Sequence, residues 1–169
     1  MTVLIIERAQ NVKGRHLWPG LYTGQVDPKG ANWDVNQVVR QIRLTREDQN
    51  GVPGHVHFSM KSLLNNWKDV GDTLRVQMYK EPALMPASPW LSTKVVPAPS
   101  VKATASGSSW GIEMGPLGPG MRFYAIQVKK GDRDWAVHDV SSVGTHSFPN
   151  DVSEVAVACI DRFGSMGAW

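Results

Sequence analysis

The chain has 169 residues, 41% of them hydrophobic and 20% charged, with a formal net charge of +3. This fits one ordinary domain or two small ones and excludes a disordered polymer. Its Lys and Arg residues are scattered, with Lys129-Lys130 the longest basic run, so no nucleic-acid partner is expected.

At the N-terminus, Val3, Ile6 and Ala9 fall at roughly helical spacing, which predicts a short helix or the last turns of a longer one over Thr2 to Gln10. Nothing there resembles a helix start, so the chain reads as truncated. The apolar run is too short for a signal peptide or a membrane span, and no membrane partner is expected.

Gly14 and Gly20 bracket His16-Leu-Trp-Pro19, and Leu21-Tyr-Thr23 continues as a short strand entering a loop over 24–29. Asp34 is placed to cap the next helix, with Gln37 three residues on. Val35, Val38, Val39 and Ile42 form one apolar stripe. Asn50-Gly51 and Pro53 end it. Gly54 to Met60 then reads as a second strand, and strand-helix-strand order implies a parallel pair. Asp69 is expected to cap a further helix with Val70, Leu74 and Met78 on one side. The three prolines of Lys80 to Trp90 call for an extended segment pinned by Leu84, Met85 and Trp90. Val95-Val-Pro-Ala-Pro99 reads as a linker.

Beyond Ser100 the period becomes two. Val101 to Ala105, Trp110 to Met114, Phe123 to Val128 and Val155 to Ile160 alternate, separated by turns at 115–120, 130–132 and 161–164. Short strands with no helical pattern indicate a small antiparallel β-sandwich. The single cysteine, Cys159, excludes an internal disulfide and sits in an apolar run, where a buried inert thiol is expected.

Chemistry is expected at the ends of the two parallel strands. Those positions hold Tyr22, Thr23 and Asp27 after the first strand and His57, Ser59, Lys61 and Ser62 on and after the second. Trp18 and Trp33 stand close by. Aromatic rings beside polar groups suit sugars, although Trp residues more often serve packing. His55 and His57 share a strand face, a spacing that allows a metal pair, but no third ligand stands near in sequence, so no metal is expected. Trp67, Trp90 and Trp110 are assigned to cores, and His138 and His146 to the surface. Glycoside hydrolysis needs two facing carboxyl groups, and no such pair is found, so no catalytic residue is assigned. No phosphate loop, nucleophile elbow or zinc signature is present, and no cofactor is expected.

Gly14 to Thr23, Gln41 to Arg46, Gly54 to Ser62 and Tyr79 to Leu91 resemble the last part of the family 10 glycosyl-hydrolase-like domain, a mostly bacterial family related to (β/α)8 barrel glycoside hydrolases. The resemblance implies that Leu17 to Thr23 is the seventh barrel strand and Gly54 to Met60 the eighth. Trp110 to Glu113, Arg122 to Val128 and Val155 to Gly164 resemble a fibronectin-type-III-like sandwich. The fold expected is thus α/β plus all-β: an incomplete (β/α) barrel of its last two βα units over 1–94, then a small sandwich over 95–169. The resemblance implies an intact parent that hydrolyses glycosidic bonds in a polysaccharide or cell-wall glycan, with carbohydrate contacts from Tyr22, His57, Ser59 and Lys61; localisation is left open, export of a longer parent included. The chain alone is expected to be inactive, and its unpaired sheet edge is open to self-association. The alternative is a non-catalytic module, either a glycan-binding sandwich using Trp135 and Tyr124 or a scaffold.

Overall fold

A computed structural model describes residues 11–47, 54–106 and 109–169. The expected N-terminal helix and the helix stop at Asn50, Gly51 and Pro53 lie outside the described residues. The chain forms two compact units, Met1–Lys80 and Glu81–Trp169. Residues 81–94, grouped from the sequence with the first part, therefore fall in the second unit.

The first unit is built on two short strands, β1 (Gly20–Leu21) and β2 (Val56–His57), paired in parallel with Gly20 opposite Val56 and Leu21 opposite His57. Among the described residues there is no closed barrel. The ladder is far shorter than the seven-residue strands the sequence suggests. After Leu21 the chain tightens into a 3-10 turn, Thr23–Val26, and after Ser59 it turns into a helix, α2 (Met60–Leu64).

Helix α1 (Val35–Glu47) follows its apolar stripe: Val38, Val39 and Ile42 are buried, and Val35 packs against them. Asp34 caps it by accepting the Asn36 N–H at 2.7 Å. Helix α3 (Val70–Gln77) buries Val70 and Leu74, and Met78 closes its end. Leu21 and Val26 complete this core, with Leu63, Trp33 and Trp67 packed on its edge.

The cap of α3 corrects the sequence expectation. Asp69 sits at the N-cap in a left-handed conformation and makes no side-chain cap bond. Asn66 does that work: its Oδ1 accepts the N–H of Gly71 at 2.8 Å and of Asp72 at 3.3 Å, while its Nδ2 donates to Asp72. Nearby, Lys68 donates to the Asn32 carbonyl, the Asn32 side chain and the Trp33 carbonyl at 2.8–3.1 Å. Those bonds fasten the α2–α3 connection to the entry of α1.

Among the described residues the second unit holds six strands in two antiparallel sheets. One is ordered β3 (Val101–Ser106), β4 (Ser109–Met114), β7 (Thr145–Pro149). The other is ordered β6 (Ala136–Ser141), β5 (Met121–Lys129), β8 (Glu154–Asp161). Both sheets feed one core: Ile112, Met114 and Phe148 from the first, Tyr124, Ile126, Val128, Val157 and Cys159 from the second. Strands β6 and β7 lacked a clear alternating signal in the sequence. Gly111 is buried where β4 meets β7, and a Cβ there would lie 2.6 Å from the His146 carbonyl oxygen. Gly164 has φ +79°, and a Cβ would meet the Pro86 carbonyl oxygen at 2.6 Å.

Three expectations change here. Val96, read as linker, is 7% exposed and belongs to the core. Trp90, assigned to a core, is exposed; the proline-rich segment is held by main-chain and carboxylate bonds, with Ser88 N–H donating to Phe163 O and Val137 N–H donating to Glu81 Oε2. His146, placed on the surface, is partly buried and bonded to the Val143 carbonyl. His138 is exposed and lies edge-on to Phe148.

Candidate functional site

The chain around β1 and β2 brings four chemistry-bearing side chains together. Thr23 Oγ1 lies 2.7 Å from His57 Nδ1. His57 Nε2 lies 2.8 Å, and His55 Nε2 2.5 Å, from the Tyr79 hydroxyl. The two imidazoles meet edge-on at 5.1 Å. Parallel pairing sets Thr23 beside His57, the i, i+2 spacing puts both histidines on one side, and α3 delivers Tyr79 just beyond its last turn.

The proton positions in this chain follow from its two ends. At one end the Thr23 hydroxyl has the Leu21 carbonyl within 3.4 Å, a group that only accepts. At the other, His55 Nδ1 is buried with no hydrogen-bond partner. A buried N–H without an acceptor is rarer than an acceptor left bare. His55 therefore carries its proton on Nε2 and donates to Tyr79; Tyr79 donates to His57 Nε2; His57 Nδ1 donates to Thr23; Thr23 donates to Leu21. Every group in the chain is neutral. Burial, the neighbouring His57 and the Arg46 cation hold the His55 pKa down at about 4, and burial lowers that of His57. Burial also raises the pKa of the Tyr79 phenol. Arg46 places its guanidinium 5.4 Å over the Tyr79 ring and donates to the Met78 carbonyl at 2.8 Å.

Both ring nitrogens of His57, one of the residues expected to bind sugar, are thus used inside the protein. It positions the strand end and does not present a free polar atom. Tyr22 is 51% exposed and tilts against Phe58, itself 61% exposed, at 5.4 Å between ring centroids. The sequence reading missed Phe58, although its place between His57 and Ser59 puts it at the strand end. Ser59 lies at the N-terminus of α2 with no cap bond from its hydroxyl, and its carbonyl accepts the Ser62 hydroxyl at 2.9 Å. Lys61 is exposed and lies 5.5 Å over the Trp67 ring. Of the two tryptophans weighed as platforms, Trp18 is half exposed and Trp33 packs on the core.

Three carboxylates of this unit are committed elsewhere. Asp27 accepts the Lys29 N–H, Asp34 caps α1, and Asp72 pairs with Arg75 at 2.7 Å. Among the described residues no group of three or more His, Cys, Asp or Glu side chains could hold a metal ion. No helix among them is long and apolar enough to cross a membrane. In the second unit Tyr124 is buried and donates its hydroxyl to the Gly115 carbonyl, so of the two aromatics weighed for a glycan-binding sandwich only Trp135 is exposed.

The chain is similar to a glycosyl hydrolase. The relative is the glycosyl hydrolase YngK of Bacillus subtilis strain 168, 38% identical over 87 residues. The match takes in 48% of this chain and 17% of that protein, so the chain spans about a sixth of its relative's length. The likeness supports a glycosidase-like relationship. No family model matches the chain, and no solved structure does.

Proposed function

We propose that the first unit belongs to a glycoside-hydrolase-like (β/α) barrel and that the C-terminal ends of its two parallel strands form part of a carbohydrate-binding surface. The observation that carries this reading is the exposed Tyr22–Phe58 pair beyond β1 and β2. Two tilted aromatic rings at the strand ends, with Ser59 following Phe58 in the chain, suit the flat C–H faces and hydroxyl edges of a sugar. His57, clamped by Thr23 and Tyr79, keeps the second strand end in place. The similarity to a named glycosyl hydrolase favours a polysaccharide or cell-wall glycan as the ligand class. Hydrolysis by a protein carrying this unit would draw its acid/base pair from outside the described residues, because Asp27 closes a turn, Asp34 caps a helix and Asp72 is held in an ion pair. The second unit, in this reading, is a fibronectin-type-III-like sandwich.

The test is binding of the 169-residue chain to a panel of soluble glycans, followed by affinity electrophoresis. Removing both rings, in Tyr22→Ala with Phe58→Ala, should weaken retardation about tenfold, as two aromatic contacts of this kind warrant. Trp135→Ala should change nothing. Unaltered binding in the double variant, or loss in Trp135→Ala, refutes the assignment. No reducing sugar should be released by the chain itself.

A further inference from the structure

We propose that the Thr23–His57–Tyr79–His55 chain is an acid-sensitive clasp, tying the ends of β1, β2 and α3 together at neutral pH and releasing them on protonation. The proposal concerns the first unit alone and does not depend on sugar binding.

Its basis is the arithmetic of donors. Tyr79 has one proton and stands between two Nε2 atoms at 2.5 and 2.8 Å, so one imidazole must donate and the other must accept. Add a proton to His55 and it appears on Nδ1, which is buried without a partner. Add it instead to His57, and Nε2 becomes a donor toward Tyr79. The phenol must then turn its proton to His55 Nε2, and His55 shifts its own proton to Nδ1. By either route the extra proton emerges as the same orphan N–H. A second proton gives Tyr79 two donors, leaves its own hydroxyl proton without an acceptor, and puts two cations 5.1 Å apart.

Among the described residues the surroundings offer no relief. Helix α1 contributes the Arg46 cation over the Tyr79 ring. The 3-10 turn contributes the uncharged Thr23 hydroxyl. No carboxylate among the described residues makes a hydrogen bond or ion pair with His55 or His57. Depressed histidine pKa values agree with this geometry. Releasing the clasp frees Tyr79 from β2 and leaves the strand end held by the Thr23–His57 bond and two main-chain bonds, Phe58 N–H to Leu21 O and Gly24 N–H to Phe58 O, both 2.8 Å.

Long-range nitrogen correlation spectra of the imidazoles in the 169-residue chain test the first part. At pH 7 His57 should carry its proton on Nδ1 and His55 on Nε2. Finding His57 protonated on Nε2, or both histidines titrating at the ordinary value, overturns the proposal. Amide exchange tests the second. After correction for intrinsic rates, protection at Gly24 and Phe58 should fall at least about tenfold between pH 6.5 and 4 while that of Ile126 holds. In Tyr79→Phe the protection should already be reduced at pH 7 and the acid step absent. An acid step of unchanged size in that variant refutes the clasp. Should Tyr79→Phe not fold, the proton assignment in the native chain still decides.

Discussion

Thr23 and His57 join the ends of two parallel strands through a single 2.7 Å hydrogen bond between residues 34 positions apart. The ladder beneath it is only two residues long, so this contact carries an unusual share of the pairing. Thr23 is fully buried, and replacing its hydroxyl with a methyl group leaves His57 Nδ1–H without an acceptor. Thr23→Val should lower the stability of the first unit by about 1–2 kcal/mol, measured by urea denaturation at pH 7. Thr23→Ser keeps the hydroxyl and should cost clearly less.

The pH dependence of stability has a definite sign. The His55 pKa is about 4 in the folded chain against an ordinary 6.5, so the unfolded chain binds the proton more readily. The contribution is present in full above pH 6.5, declines as the pH falls from there toward 4, and is spent below that. Denaturation midpoints should be flat from pH 7 to 8 and drop through this window. A His55→Phe variant, which cannot take up that proton, should show a shallower drop.

Lys68 supports the first unit through three accepting oxygens on Asn32 and Trp33. Charged donors make stronger bonds than neutral ones, though this ammonium is exposed. Lys68→Met keeps the stem and loses the bonds. It should cost about 1 kcal/mol in the same denaturation experiment.

In the second unit, Gly164→Ala should be among the most damaging single changes. It adds a methyl group at a left-handed backbone position and drives it against the Pro86 carbonyl. A loss of about 2 kcal/mol or more in thermal melts is expected. Cys159, at 5% exposure and with its thiol pKa pushed up by burial, should resist thiol reagents in the native chain and react once urea unfolds it.

The helices were legible because their stripes are: Val35 to Ile42 and Val70 to Met78 each face one core. The central strands β4 and β5, and the edge strand β8 with its largely buried run, were legible for the same reason. Strands β6 and β7 sit at sheet edges, partly exposed, and Ala136-Val-His-Asp-Val-Ser141 and Thr145-His-Ser-Phe-Pro149 mix polar residues into both faces. Their membership depends on partners distant in the chain. The site was half readable. Tyr22, His57 and Ser59 stood at strand ends, but the hub of the polar chain, Tyr79, comes from the far side of a helix. No local pattern connects it to His55, 24 residues earlier. The Asn66 cap escaped because it reaches forward five residues across an irregular turn to Gly71.

Gly111 has a further consequence for how the sheet assembles. Hydrophobic alternation rejects a slip of one residue between β4 and β7, since that turns every inward side chain outward. A slip of two preserves the pattern and would escape that filter. It would bring Ser109 or Glu113 to the spot beside the His146 carbonyl, where even a Cβ has only 2.6 Å. The missing side chain thus acts as a keyhole: a misaligned partner strand cannot close, and the error is refused during assembly.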